Sequence, residues 1–475
     1  MSSVSDVSSI DQLVAQYRLS KRKPAQVLES KRSALNIRLA VLADLKTKLK
    51  TLKTTAEDLK KTGTISKFNT FTVASTDATL ATATATTSAL IGSHSLKINR
   101  VAKNDTVVSD RLTGTSTSVI TAEGAGTKSV RLSLNGVDTD VSVELVAGDT
   151  NDMVLDKLVT AINNSDADVN ASNIGDTSTT NKLVLISKST GASNAISLTN
   201  LTGTLLDNIG LTDAVISGRS ASSNTSAGYS NSSATLLNSS LTVDGITVEK
   251  EVNTVTDVLK GVTLQLKGAH AESDAPLTMT VDVNKAAIKE RVQKFITDYN
   301  SALSYINTKT QYDSLTNTRE ALSGDPIFST FRYNLRSLAA TPVSSVKAGN
   351  PSLLSEIGIS VGRDGTLSLA YPDTFDEMLD GSVEKVEELF NSSNGIANKL
   401  VTLIDNMTNS STGKIIQAKD TADAQVLTLT SRITRFDETL DRHVTKYKND
   451  FLRLQAAYNK ILAQQSSIAS ITSYY

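Results

Sequence analysis

The clearest folding signal in the sequence lies near the N-terminus, where residues 27–61 read VLESKRSALNIRLAVLADLKTKLKTLKTTAEDLKK. Leucine recurs at every seventh position in two interlocked series, Leu28, Leu35, Leu42 and Leu49, and then Leu45, Leu52 and Leu59. Because apolar residues three or four positions apart form one stripe on a helix, the pattern predicts a coiled-coil helix. Pro24 before the stretch and Gly63 after it suit the two ends of such a helix.

A second stretch, near the C-terminus, repeats this pattern. Its apolar residues fall at mostly three- and four-residue spacings, with a skip at His443, and they are Val426, Leu429, Ile433, Phe436, Leu440, Tyr447, Phe451, Leu454, Tyr458 and Ile461. A single helix cannot bury its own stripe, and the simplest partner for each helix is the other. We therefore expect the N- and C-terminal helices to pair as a coiled-coil stalk.

The charge balance favours a structural protein over a nucleic-acid-binding one. The chain has 475 residues with 48 Lys and Arg against 49 Asp and Glu, so no global field attracts nucleic acid or an anionic membrane. The N-terminal helix is locally basic, with 13 Lys or Arg against four acidic residues between Arg18 and Lys61. Since aromatic side chains are scarce there, we interpret it as a solvated or partner-facing flank, with a nucleic-acid or acidic-lipid surface as the alternative.

Between the helices the hydrophobic period changes from helical to two. Alternating small or branched residues predict strands from about residue 69 to 275, and Asp244-Gly245 suits a type I′ hairpin turn. A second β-rich unit lies inside the first, and the Ser-rich residues 218–234 are interpreted as the linker that returns from it. The helical pattern resumes past Leu277, with a further hairpin at Asp364-Gly365 and then an acidic helix.

The predicted fold class is α+β multidomain, with terminal helices around nested β-rich domains. We expect a terminal helical leg, partly disordered, at 1–43 and 440–475, and a helical stalk domain with a small hairpin at 44–68 and 277–439. A β-rich head domain is expected at 69–125 and 222–276, and an inserted outer β-rich domain at 126–221.

Catalytic, cofactor and metal sites are not expected. The absence of Cys excludes disulfides and thiolate chemistry, and the three histidines lie in separate segments without ligand neighbours at helical spacing. The chain carries no nucleophile elbow and no phosphate-binding glycine loop, so we predict that it is not an enzyme. No signal-peptide pattern opens the sequence and no apolar run is long enough to span a membrane, so we expect no cleaved signal and no membrane insertion.

Several segments together resemble the flagellar hook-associated protein 2 family, also called FliD. The most distinctive are LSGDPIFSTFRYNLRS at 322–337 and EIGISVGRDGTLSLAYPDTFDEML at 356–379. TVEKEVNTVTDVLKGVTLQLKG at 247–268 and the helix with Phe295, Tyr299 and Asn300 are similar to further parts of the family. The resemblance covers the whole chain, although the family's Gly-rich opening is shortened to MSSVSDVSS and its Glu before the proline is not apparent.

The resemblance implies a secreted, extracellular structural protein that caps the distal tip of the bacterial flagellum. It implies a ring-shaped homo-oligomer with its helical legs in the filament end, where exported flagellin folds and polymerises without being lost. The implied partners are further copies of the chain, flagellin, hook–filament junction proteins and an export chaperone on the C-terminal helix. Export through the flagellar type III pathway is implied as well.

Two other classes of function stay open at this stage. A cell-adhesion role, with the β-rich head binding host mucin or glycans, can coexist with capping, but no aromatic sugar platform is visible in those segments. A wall hydrolase requires two carboxylates in one cleft, and no pair is singled out by the sequence.

Overall fold

The computed structural model describes residues 3–314 and 318–472, so residues 1–2 and 473–475 of the predicted leg lie outside it. The chain forms two compact units, Met1–Phe68 with Lys285–Tyr475 and, between them, Asn69–Asn284. The first is mainly helical and the second mainly β-sheet. The predicted fold class, with terminal helices flanking nested β-rich domains, is confirmed.

Two helices open the first unit, α1 (Ser3–Lys21) and α2 (Lys23–Leu59). Pro24 lies in the first turn of α2, where its missing N–H is not needed for a helical hydrogen bond. Helix α2 passes without a break through the predicted leg boundary at residue 43, because good helix formers and leucines continue across it. The leg, predicted to be partly disordered, is helical in its described N-terminal part except at Arg22, which forms a turn between α1 and α2.

The second unit contains sixteen strands and four helices. In chain order they are β1 (Phe71–Ser75), β2 (Ala81–Ala85), β3 (Gly92–Arg100), β4 (Asn104–Val108), β5 (Leu112–Thr113), α3 (Ser118–Glu123), β6 (Gly126–Leu134), β7 (Val137–Leu145), α4 (Asn151–Asn163), β8 (Val169–Gly175), β9 (Thr180–Thr190), β10 (Ser197–Thr202), α5 (Leu205–Asn208), α6 (Asp213–Ser217), β11 (Gly228–Tyr229), β12 (Ser239–Val243), β13 (Ile246–Lys250), β14 (Thr254–Leu259), β15 (Val262–Leu266) and β16 (Leu277–Val283).

The head domain is built from two antiparallel sheets around one core. One sheet has the strand order β1-β16-β3-β12-β13 and the other the order β14-β15-β2. Their alternating apolar residues, among them Leu96, Ile98 and Leu264, are buried together. Asp244 (φ 51°) and Gly245 (φ 86°) both have positive φ in the turn between β12 and β13, as a type I′ hairpin turn requires.

The inserted domain packs its own sheets against α4. One sheet has the order β10-β6-β7, and the other has the order β11-β4-β9-β5, with β8 also paired to β9. Apolar residues of α4, including Leu155 and Leu158, fill the space beside these sheets. Val107 of β4 belongs to this core, so the insert begins near residue 104 rather than at the predicted residue 126.

Two further boundaries differ from the prediction. Strand β16 pairs with β1 and β3 in the head sheet, so the head continues to Asn284, whereas the prediction ended it at residue 276. The predicted Ser-rich linker is instead packed, because β11 pairs with β4 and Tyr229 is buried in the core of the insert.

The chain then returns to the first unit with α7 (Lys285–Thr310), β17 (Tyr312–Asp313), β18 (Thr318–Arg319), α8 (Pro326–Ala340), β19 (Ile359–Val361), β20 (Leu367–Leu369), α9 (Pro372–Gly381), α10 (Val383–Asn391), α11 (Ile396–Thr408) and α12 (Lys414–Thr472). The core of this unit contains an aromatic cluster. The centroid of the Phe390 ring lies 5.7 Å from that of Phe68 and 5.8 Å from that of Phe295. Across the described ranges, none of the helices combines the length and apolarity that crossing a bilayer requires.

Candidate functional site

The candidate site is the helical stalk, in which α2 packs against α7, α11 and α12. Along the second half of α2, the leucines of the heptad series are completely or almost completely buried, and they are Leu42, Leu45, Leu49, Leu52 and Leu59. Their spacing places them on one side of the helix, where several neighbouring helices cover them. This half of α2 is therefore the rigid part of the stalk.

The first half of α2 is less covered. Leu28 and Leu35 are only half-buried, although they belong to the same heptad series. On α12, Ile433 and Leu440 are buried, whereas Val426, Phe436, Tyr447 and Phe451 are half-buried. Leu454, Tyr458 and Ile461 are exposed, with 66, 60 and 52% of their surface accessible. The structure thus brings the predicted seam together at its centre and leaves it open toward the end of α12.

Aromatic and ionic contacts attach α1 to α12. The Tyr17 and Tyr447 rings stack with their centroids 4.3 Å apart and their planes within 5°. Arg18 donates a 2.7 Å hydrogen bond to Asp441, and Lys448 donates one of 2.8 Å to Asp11. Exposed ion pairs of this kind contribute about 0–1 kcal/mol each, so the contact is weak and salt-sensitive.

Arg22 joins the two N-terminal helices to α12. Its Nε donates to Asp437 at 3.1 Å and its Nη2 donates to Glu29 at 2.9 Å. The hydrogen bond to Asp437 and the charge of that carboxylate, followed by the charge of Glu29, raise the pKa of Arg22. Sequence reasoning did not single out these residues, although the signal was present, since Asp437 and Asp441 stand four residues apart on one helix face.

Further polar contacts join the second half of α2 to α7 and α11. Lys53 of α2 lies 2.6 Å from Asp405 of α11, and the hydrogen bond between them raises the pKa of Lys53. On α7 the Tyr305 hydroxyl donates to Asp44 at 3.2 Å. Burial and the nearby Asp44 carboxylate raise the pKa of Tyr305 to about 12, so its hydroxyl keeps its proton at neutral pH.

The histidines lie apart, and two of them serve local structure. His94 Nδ1 is 2.7 Å from the Asp244 carboxylate at the β12–β13 turn, and His270 Nδ1 accepts from the Ile98 N–H at 3.0 Å. His443 is exposed on α12. Within residues 3–314 and 318–472 no group of three His, Asp or Glu side chains could hold a metal ion.

Comparison with known proteins gives one consistent family. The chain matches the family model of the flagellar hook-associated protein 2 C-terminus over residues 237–463 and that of the N-terminus over residues 8–105. The A-type flagellar hook-associated protein 2 of Pseudomonas aeruginosa is 26% identical over 464 residues, which cover 96% of this chain and 91% of that protein. The flagellar hook-associated protein 2 of Salmonella typhimurium is 24% identical, over 70% of this chain and 69% of its own length.

A solved structure shares the fold. The crystal structure of the D1-D2-D3 domains of the flagellar cap protein FliD from Escherichia coli superposes with a TM-score of 0.58. The superposition covers 81% of this chain and 99% of that one, at 24% sequence identity.

Proposed function

This chain belongs to the flagellar hook-associated protein 2 family, the filament cap proteins of bacterial flagella, and we propose that it caps the distal end of the filament. In this role it promotes the folding and polymerisation of exported flagellin and prevents flagellin from being lost. The observation that carries the proposal is the paired α1–α12 leg, which ends in exposed apolar side chains.

The physical argument concerns what such a leg can bind. Exposed apolar residues that recur at helical spacing are costly in water and mark a surface for another protein. Leu454, Tyr458 and Ile461 lie three or four residues apart on α12, so an added helix can cover them together. Flagellin or a hook–filament junction protein is the proposed partner in the assembled filament, and an export chaperone is the proposed partner before export.

The head supports self-association into a ring. Strand β13 lies at the edge of the five-stranded head sheet, and Ile246 at its start is 69% exposed. An edge strand offers unpaired backbone groups to another chain. The proposed cap is therefore a homo-oligomer of this chain at the flagellum tip, exported by the flagellar type III pathway. Adhesion to mucin or glycans gains no support from the relatives reported above.

A deletion strain tests the proposal. We expect cells without the gene to carry hooks but no filaments by electron microscopy, and the wild-type chain to restore the filaments. A chain that lacks residues 1–43 loses α1 and the first half of α2, and it should not restore them. Immunogold labelling of the complemented strain should mark the distal filament ends. Normal filaments in the deletion strain would rule out capping.

A further inference from the structure

An open groove runs between α2 and α12 where the stalk seam is half-buried, with a volume of about 630 Å³. From α2 it is lined by Lys31, Ala34, Leu35 and Arg38, and from α12 by Gln425, Thr428, Leu429 and Arg432. Arg319 at the end of β18 and the two residues after it, Glu320 and Ala321, complete the lining. We call this the stalk groove.

The two helices line the stalk groove with the same spacing. On each helix the four lining residues stand at positions i, i+3, i+4 and i+7, with a small residue and a leucine in the middle. Two parallel stripes of this kind form the cavity that a third helix fills in a bundle. Where α7 and α11 pack on α2, the leucines from Leu42 onward are fully covered, whereas Leu35 is not. The stalk groove therefore has the geometry of an unfilled helix position about two turns long, or roughly 10 Å.

Positive charge surrounds the groove. It is lined by four cationic side chains, Lys31, Arg38, Arg319 and Arg432, and by one carboxylate, Glu320. Arg38 donates to the Asp325 carboxylate at 2.5 Å, so its charge is compensated. Glu320 accepts from Lys309 at 3.1 Å, so part of its charge is already compensated. Lys31 and Arg432 are exposed, and among the described residues neither has an ion-pair partner. A helix that enters the groove meets an apolar floor and cationic sides.

We propose that the stalk groove binds an amphipathic helix of flagellin whose apolar stripe is flanked by carboxylates. This inference rests on the proposed function, in which flagellin is the protein that the cap handles. The apolar floor provides the contact area, and Lys31 and Arg432 provide selection by charge. Because only about two helical turns make contact, binding is weak and reversible, as repeated release of subunits requires.

Two helical segments that a second copy of this chain presents, α9 with α10 and the end of α12, do not supply such a helix. Its acidic helices α9 and α10 have their apolar residues, Phe375, Leu379, Val386 and Leu389, buried in their own unit. The exposed apolar stretch at the end of α12 is flanked by Arg453 and Lys460, which carry the same charge as the groove. Neither element combines an exposed apolar stripe with acidic flanks.

Two matched peptides test the chemistry. Each is a helical peptide of three heptads with leucines at i, i+3 and i+7, flanked by Glu in one and by Lys in the other. We expect the full-length chain to bind the Glu peptide about tenfold more tightly than the Lys peptide, measured by fluorescence anisotropy at low salt. Lys31→Glu with Arg432→Glu should reverse this preference. Lys50→Glu with Arg435→Glu makes the same change in net charge outside the groove lining and should leave the preference intact.

A photo-crosslinker in place of Ala34 tests the source of the helix in the complemented strain. We expect crosslinks to flagellin, and crosslinks to a second copy instead would overturn the proposal. Equal binding of both peptides, or an unchanged preference in the Lys31→Glu/Arg432→Glu variant, would overturn it too. If that variant unfolds by circular dichroism, Lys31→Gln/Arg432→Gln replaces it and should abolish the preference. Any of these results would contradict flagellin binding in the stalk groove but not capping, provided that the wild-type chain restores filaments. Normal filaments in the deletion strain would contradict capping itself.

Discussion

At the scale of single residues, the inserted domain depends on a buried charge pair. Asp105 is fully buried and accepts two hydrogen bonds from the Arg219 guanidinium, at 2.7 and 3.1 Å. The same carboxylate accepts from the Ile196 N–H at 2.8 Å, and the Arg219 guanidinium lies 4.0 Å from the centre of the Tyr229 ring. One network thus ties β4 and the start of β10 to the Ser-rich segment that the sequence suggested was a linker.

Removal of one partner from this pair should be costly because the other charge stays buried. We expect Asp105→Ala to lower the free energy of unfolding by about 3–5 kcal/mol. The double variant Asp105→Ala/Arg219→Met should lose less, since no uncompensated charge remains. Urea denaturation of the full chain measures both. Asp140→Ala, which breaks the exposed pair with Arg131, is the control and should change stability little. Equal effects of Asp105→Ala and Asp140→Ala would contradict this assignment.

Because of Asp149, the inserted domain should lose stability as the pH falls into the acidic range. The hydrogen bond from Lys157 at 2.6 Å, and then that from the Val146 N–H, lower the pKa of Asp149. A lowered pKa stabilises the folded state above the unfolded value, near 4, and this stabilisation is lost as the pH falls through the folded value. The stability difference between the wild type and Asp149→Asn should therefore be constant from about pH 5 to 8 and shrink below about pH 4. Urea denaturation at each pH measures this difference. A difference that grows in acid would contradict the prediction.

At the scale of elements, burial along α2 sorts the seam leucines into two classes. Leu49 is fully buried between helices, so Leu49→Ala should cost about 2–5 kcal/mol through lost burial and a cavity. Leu35→Ala should cost less because Leu35 already faces the stalk groove. Leu427 is 70% exposed on α12, and Leu427→Ala serves as the control with little effect. Thermal or urea unfolding of the three variants measures how much stability each one loses. A larger loss for Leu35→Ala than for Leu49→Ala would show that the groove is closed.

Helix α1 should respond to salt in a way that α2 does not. Its attachment to α12 uses the exposed pairs Arg18–Asp441 and Asp11–Lys448 together with the Tyr17 stack. At about 1 M salt the screening length falls to about 3 Å, so these pairs weaken. Hydrogen exchange should become faster in residues 10–21 and stay slow in residues 42–59. Protection of α1 that does not change with salt would mean that apolar contacts alone hold it.

Local patterns predicted some elements well and others poorly. The leucine heptads predicted α2, and the three- and four-residue spacing predicted α12, because helical periodicity is a local signal. Strand β16 was missed because its seven residues follow a polar segment and lead directly into a helix. The packing of the Ser-rich segment was missed since a short buried run, Ala227 with Gly228 and Tyr229 of β11, and its pairing with distant β4 leave no compositional trace. The stalk groove could not be predicted, because a heptad pattern does not tell which neighbours cover the seam.

At the scale of the whole molecule, the β-rich unit has the features of an independent domain. The Asn284 N–H donates to the Thr70 carbonyl at 2.8 Å, and β1 pairs with β16 along its whole length. The chain thus enters and leaves this unit at neighbouring points, as inserted domains do. We expect residues 69–284 to fold alone, with cooperative thermal unfolding and a β-rich circular dichroism spectrum. An unfolded or aggregated product would show that the helical unit is needed for its folding.

We propose that the chain retains flagellin at the filament end through its helical leg. The most direct measurement is the fraction of total flagellin that stays monomeric in the culture medium of the deletion strain. We expect most flagellin to be lost to the medium without the gene. The full chain should restore retention, and the chain that lacks residues 1–43 should not. Equal flagellin retention in all three strains would contradict the claim.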